Sequence, residues 1–246
     1  MIKHEAILKL LYSDIGREFI ITEYHPLRTL HERLHKSEGR ALEALLAFRP
    51  LVEGVAKIHD SGAVHRDVKP KNIFVATDGR LVLGDFGIVL FTDSVSDRMT
   101  ETYDSQVGSR DWMTPWANTH RRLSYEEINP TLDIYPLGKV LWCMVSGRQT
   151  LDFWYFDRRA KGNRPSNNLE DLFPGDPSMQ IVNEILSKCV VEDEDNCLRS
   201  AVELLSLVDQ AIARLRSTGL RPVDGSPWPC RVCGKGNYPP KTSRLK

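Results

Sequence analysis

The spacing of apolar residues changes period several times along the chain. Residues 7–11 (ILKLL) and 18–23 (EFIITE) read as two short strands around a turn centred on Asp14 and Gly16. Over residues 41–59 the spacing becomes helical, with Leu42, Leu45, Leu46, Val52, Val55 and Ile58 forming the apolar stripe. Pro50 falls inside that stretch and is expected to kink the helix or to cost about 3 kcal/mol. Residues 73–75 and 81–83 return to strand character, and Asp78-Gly79 between them is a strong hairpin signal. Residues 89–108 are rich in Ser, Thr and Asp without a sustained period, which predicts a long, mobile loop.

Beyond residue 108 the pattern is helical. Residues 133–146 carry Ile134, Leu137, Val140, Leu141, Met144 and Val145, and Gly147 marks the stop. A second helix is expected at 180–190, followed by an acidic stretch at 192–195 that reads as a solvated turn. The last helix opens at Ser200 with Glu203 three residues on, a capping box, and its stripe runs Val202, Leu205, Val208, Ile212 and Leu215. Residues 217–229 are linker-like, and Cys230 and Cys233 lie just beyond.

Composition narrows the class but not the chemistry. The 246 residues include 33 Lys+Arg and 33 Asp+Glu, and this zero formal charge argues against a general binder of nucleic acid or anionic membrane. Five cysteines are too few for a disulfide scaffold, and the odd count suits a reducing compartment. No apolar run approaches the roughly 20 residues of a membrane-spanning helix, and Lys9 interrupts the apolar stretch near the N-terminus, so a cytoplasmic globular protein is expected.

The chemistry sits in His65-Arg66-Asp67-Val68-Lys69-Pro70-Lys71-Asn72 and in Asp85-Phe86-Gly87, thirteen residues after Asn72. In order and spacing the two segments resemble the catalytic loop and the metal-binding tripeptide of the protein kinase family. The resemblance implies a protein kinase-like α+β fold of serine/threonine type, moving the ATP γ-phosphate to a protein Ser or Thr. Asp67 would accept the proton of the attacking hydroxyl. Lys69 would place a cation near the transferred phosphate, and Asn72 and Asp85 would supply oxygen ligands to Mg²⁺ or Mn²⁺. Thr22, Glu23 and His25 resemble the gatekeeper and hinge, where the Glu23 carbonyl and the His25 N–H would read adenine and Phe74 would pack beneath it. Asp133 matches the residue that braces the backbone at His65 and Arg66. Arg66 resembles that of kinases with a phosphorylated activation loop, for which Thr100, Thr102 and Ser105 are candidate acceptors. Ser109, after Gly108, would hydrogen-bond toward Asp67 and Lys69.

The chain also departs from the family's pattern. Where the family has Ala-Pro-Glu, with its glutamate paired to an arginine matched here by Arg199, this sequence reads Thr114-Pro115-Trp116. Arg199 is therefore expected to be buried and to need Glu126, Glu127 or a stack on Trp116. Nothing ahead of His4 resembles the glycine-rich loop, the strand lysine or the helix glutamate. The expected organisation is a small-lobe remnant at 1–24, a large lobe at 25–216, and a linker with a Cys-x-x-Cys tail at 217–246. The two remaining strands should leave a sheet edge open and an apolar face uncovered. Cys230 and Cys233 resemble half a zinc knuckle, either sharing Zn²⁺ in a homodimer or persisting as a remnant. Cys143, Cys189 and Cys197 are expected to be core residues, as is the aromatic run 153–156. A protein substrate is implied, with no nucleic acid or membrane partner. A catalytically silent, pseudokinase-like binding scaffold is the rival expectation, favoured by the incomplete small lobe.

Overall fold

The computed structural model describes residues 2–14, 16–86, 90–91, 110–117, 128–151 and 167–217. Strands β1 (Leu10–Asp14) and β2 (Phe19–Thr22) pair antiparallel, with Asp14 opposite Phe19. The expected strand at 7–11 starts later than its apolar run. Residues 6–8 instead lie against residues 81–83, where the Leu8 N–H donates to the Leu83 carbonyl at 2.8 Å and the Leu83 N–H to the Ala6 carbonyl at 2.8 Å. Leu11, Tyr12, Phe19, Ile20 and Ile21 are all exposed, so side chains of both faces of this small sheet meet solvent.

Helix α1 (Ala41–Asp60) runs through Pro50 without interruption. The proline frees only the carbonyl of residue 46, and Leu46 stands on the exposed side of the helix. Leu46 therefore leaves the predicted stripe, and Phe48 and Leu51 are the fully buried positions near it. Arg49, on the same outer side, reaches Asp209 at 2.6 Å and Glu53 at 2.8 Å.

After α1 come β3 (Ala63–Val64), β4 (Ile73–Val75) and β5 (Leu81–Leu83), with β4 and β5 paired antiparallel as the Asp78-Gly79 turn predicts. Gly79 has φ +90°, the left-handed geometry such turns require. β6 (Leu90–Phe91) pairs with β3, so residues 90–91 of the expected loop at 89–108 are strand; residues 89 and 92–108 lie outside the described residues.

Helix α2 (Thr131–Ser146) is buried at every position and ends at Gly147, whose φ of +70° makes the left-handed cap. It packs against α1 and against α4 (Ser178–Cys189), preceded by the short α3 (Leu169–Leu172). Helix α5 (Ala201–Ser217) lies on α1. Its capping box forms in modified register: Ser200 Oγ accepts from the Glu203 N–H at 3.2 Å, while the Glu203 carboxylate accepts from the N–H of Arg199 rather than of Ser200. Cys143, Cys189 and Cys197 are buried in this helical core, as expected, and burial pushes the thiols of Cys143 and Cys197 up to about 12. Among the described residues, no helix is long and apolar enough to cross a membrane.

Candidate active site

The loop from β3 to β4 is built on one carboxylate. Asp133, in the first turn of α2, is fully buried and accepts the His65 N–H at 2.8 Å on Oδ2 and the Arg66 N–H at 2.7 Å on Oδ1. His59 Nε2, at the end of α1, donates to Oδ2 at 2.9 Å. Burial opposes the charge on Asp133, but the hydrogen bonds from His59 and the His65 backbone win, holding its carboxyl below the usual range. The two backbone bonds pin Arg66 at φ +69°, a left-handed conformation that a non-glycine residue adopts only at a cost.

His65 follows the same logic. Its ring is buried, and Nε2–H donates to the Gly84 carbonyl at 3.0 Å, so Nδ1 must be the acceptor for the Asp67 N–H at 3.3 Å. Burial lowers its pKa, and the neutral imidazole is the form these two bonds need. An unfolded histidine titrates near about 6.5, so below that pH the unfolded chain takes up a proton that folded His65 does not. Stability is therefore expected to fall as pH drops below about 6.5. Urea midpoints between pH 7.5 and 5.5 should fall more steeply for the wild type than for His65→Phe; equal slopes would remove His65 from the account.

The functional side chains then converge. Lys69 Nζ contacts both oxygens of Asp67, at 2.8 and 2.6 Å, and both side chains are mostly buried. Asn72, in the short helical turn Pro70–Asn72, donates from Nδ2 to the Asp67 carbonyl at 2.9 Å and to its carboxylate at 2.7 Å. With Nδ2 so used, the amide oxygen of Asn72 is left to act as a ligand. The Gly84 N–H donates to the Asn72 carbonyl at 2.9 Å, which carries Asp85 to the same end of the hairpin. Asp85 is exposed at φ +59°, a conformation aspartate tolerates better than most residues. Phe86 sets its ring edge on His65 at 4.9 Å. An amide oxygen and a carboxylate are hard donors that fit Mg²⁺.

Gly84 and His59 are positions shaping the candidate site that the sequence pattern does not mark. A Cβ at Gly84 would stand 2.7 Å from the Phe74 ring and 3.0 Å from Leu8, so only glycine lets β5 pass. Of the expected hinge, Glu23 donates its N–H to the Lys9 carbonyl at 3.0 Å, Thr22 ends β2, and Tyr24 points to solvent. The His25 side chain is buried and stacks on Phe74 at 5.9 Å.

Arg199 departs from expectation. It is half exposed and pairs with Asp195 at 2.9 Å, four residues back in the chain, so no buried charge needs rescue. The acidic stretch is correspondingly more than a solvated turn, since Glu194 also accepts from Asn129 at 2.7 Å and from Thr131 at 3.0 Å. Trp116 sets its ring on Tyr135 instead of Arg199, at 5.6 Å. Thr100, Thr102, Ser105, Gly108, Ser109, Glu126, Glu127, the run 153–156, Cys230 and Cys233 lie outside the described residues.

Residues 1–204 match the protein kinase domain. The chain belongs to the protein kinase family. It is 29% identical over 195 residues to serine/threonine-protein kinase PSK1 of Saccharomyces cerevisiae, covering 76% of this chain and 13% of that protein. It is 27% identical over 254 residues to the dual specificity mitogen-activated protein kinase kinase dSOR1 of Drosophila melanogaster, covering 95% of this chain and 60% of the relative. Activin receptor type-1 of Mus musculus is 24% identical over 215 residues, 80% of this chain and 40% of the receptor. The chain thus spans less than two thirds of the length of each of these relatives. Kinases of this family act on proteins and generally use ATP and Mg²⁺.

Proposed function

We propose that the chain carries the phosphoryl-transfer machinery of a serine/threonine-type protein kinase, on residues 25–216, with residues 1–24 as part of a small lobe. The observation that carries this reading is the Asp67 carboxylate, held by Lys69 and Asn72 in the braced turn after β3. In the proposed reaction a Ser or Thr oxygen bonds to the γ-phosphorus of ATP as the bond to the bridging oxygen breaks and ADP leaves. Asp67 takes the hydroxyl proton. Lys69, already against Asp67, offers its ammonium to the transferred phosphoryl group. The Asn72 amide oxygen and the Asp85 carboxylate would hold Mg²⁺, which neutralises charge on the phosphate oxygens. Adenine would lie on Phe74, read by the Glu23 carbonyl and the His25 N–H.

A second reading, a catalytically silent scaffold, is favoured by the exposed apolar side chains of β1 and β2; residues 1–246 tested alone bring no glycine-rich loop or strand lysine to hold the phosphates. Electrostatic positioning is nearly all of phosphoryl-transfer catalysis, so the 246-residue chain by itself is expected to bind ATP weakly and to turn over at background. The test joins a glycine-rich loop and strand lysine to the N-terminus and follows Mg²⁺-dependent phosphorylation of a protein substrate by mass spectrometry. Phosphoserine or phosphothreonine formed by the extended chain, and not by its Asp67→Asn variant, supports the kinase reading. An extended chain that binds ATP without turnover supports the scaffold.

A further inference from the structure

Helix α2 carries one lysine amid apolar neighbours, and it is buried. Lys139 is 1% exposed. Withdrawing an ammonium from water costs several kcal/mol unless its environment replaces the lost hydration, so what surrounds Nζ is informative. It donates to the backbone carbonyl of Asp111. It also lies 5.6 Å from the centre of the Trp112 ring and 5.7 Å from that of Tyr135, both within cation–π range. Tyr135 precedes Lys139 by one helical turn, so the two share a face of α2.

The same face also meets Trp116. Trp116 sets its ring against Tyr135, and the Thr114 hydroxyl, buried, accepts the Ala117 N–H at 3.2 Å. Trp116 Nε1 and Tyr135 Oη are both buried without a protein partner, polar atoms at the edge of the cluster that a water could bridge. Arg199, meanwhile, is turned outward to Asp195.

We propose that Lys139 is a positioning residue that pins residues 110–117 to α2 through the Asp111 carbonyl and the Trp112 and Tyr135 rings. On the kinase reading above, on which this part rests, Gly108 and Ser109 resemble the pair that precedes the family's substrate-docking segment, so residues 110–117 would be the surface that receives the substrate chain next to the phosphorylated residue. The anchor is a cation held by a carbonyl and aromatic faces, in place of an ion pair to Arg199.

Hydrogen exchange on the full chain tests the anchor without reference to activity. Lys139→Met keeps the apolar stem and removes the ammonium. Amides of residues 110–117 should then exchange about tenfold faster or more, while α1 and α5 amides keep their rates. Lys139→Arg, which restores a cation able to meet the same carbonyl and rings, should return the rates to within about threefold of wild type. Unchanged exchange at 110–117 in Lys139→Met overturns the proposal, and so does uniform acceleration across the chain, which would make Lys139 an ordinary core residue. Should Lys139→Met not fold, Trp112→Leu decides: faster exchange confined to the segment supports the anchor, and wild-type rates overturn it. In the extended chain, Lys139→Met should raise the peptide KM with little change in kcat; an unchanged KM overturns the substrate-docking role. Segment-specific exchange effects, together with no Mg²⁺-dependent phosphorylation by the extended chain, would leave the anchor standing and the kinase reading refuted.

Discussion

Replacing Asp85 by asparagine in the extended, active chain is expected to lower kcat by about three orders of magnitude, with no comparable loss of stability. Removing a single preorganised electrostatic contact to a developing charge costs roughly 100- to 1000-fold, and Asp85 is proposed to act on the metal that all the phosphate charge depends on. Stability should hardly respond, because Asp85 is exposed and, among the described residues, its carboxylate makes no bond that braces the hairpin. The backbone decides which substitution to read. At φ +59°, alanine would add about 1 kcal/mol of left-handed strain, whereas asparagine accepts that conformation and keeps the shape. Asp85→Ala should thus lose the same activity together with a few degrees of melting temperature, and Asp85→Asn the activity alone. Activity within about tenfold of wild type in the asparagine variant would sink the metal assignment.

Much of the architecture is legible because it is locally determined. The β4–β5 hairpin reads to the residue: three apolar positions on either side of Asp78-Gly79 leave one register, and Gly79 takes the required positive φ. The end of α2 is equally local, since Gly147 is the left-handed cap. Features that depend on distant partners are not legible. β3 has two residues and exists because residues 90–91 reach it. Residues 6–8 have a strand's composition but are drawn to β5, away from β2. On α1 the periodicity counts Leu46 as core and passes over Phe48, because pattern alone does not show that the side bearing Arg49 faces Asp209 and water.

The site divides in the same way. His65, Asp67, Lys69, Asn72 and Asp85 are close in sequence, and the structure places them around one turn and one hairpin, so the motif and the geometry agree. Asp133 is distant, but the pattern of its helix marks it. Lys139 is the opposite case. In the helical pattern of α2 a lysine counts as a polar position, and its burial depends on the Trp112 ring and the Asp111 carbonyl, which arrive from another part of the chain. The expectation for Arg199 failed for a related reason: a carboxylate four residues away, on a turn read as solvated, was nearer than any partner on the distant segment.

Asp133→Asn should be the costliest single substitution for the fold. Oδ2 receives His59 Nε2–H and the His65 N–H, and Oδ1 receives the Arg66 N–H. An asparagine has one oxygen for these three donors. Placed best, that oxygen stands where Oδ2 was, and the amide NH₂ then faces the Arg66 N–H, donor against donor. The charge that strengthens the remaining hydrogen bonds is lost with it. Breaking a buried charged network of this kind costs about 3–5 kcal/mol, which for a chain of this size lowers the melting temperature by roughly 6–20 °C. The strained φ of +69° at Arg66 loses one of its restraints, so exchange of the His65 and Arg66 amides should rise first. The effect has a pH signature with a definite sign. Because the folded carboxyl titrates below its ordinary value, its stabilisation is present above the unfolded pKa of about 3.8 and is lost as pH falls through the folded value. The gap between wild type and variant in chemical denaturation should accordingly be constant from pH 7 down to about 5 and then narrow on further acidification. A gap below about 1 kcal/mol at pH 7, or one that widens in acid, would mean that Asp133 does not hold the His65–Arg66 turn through its charge.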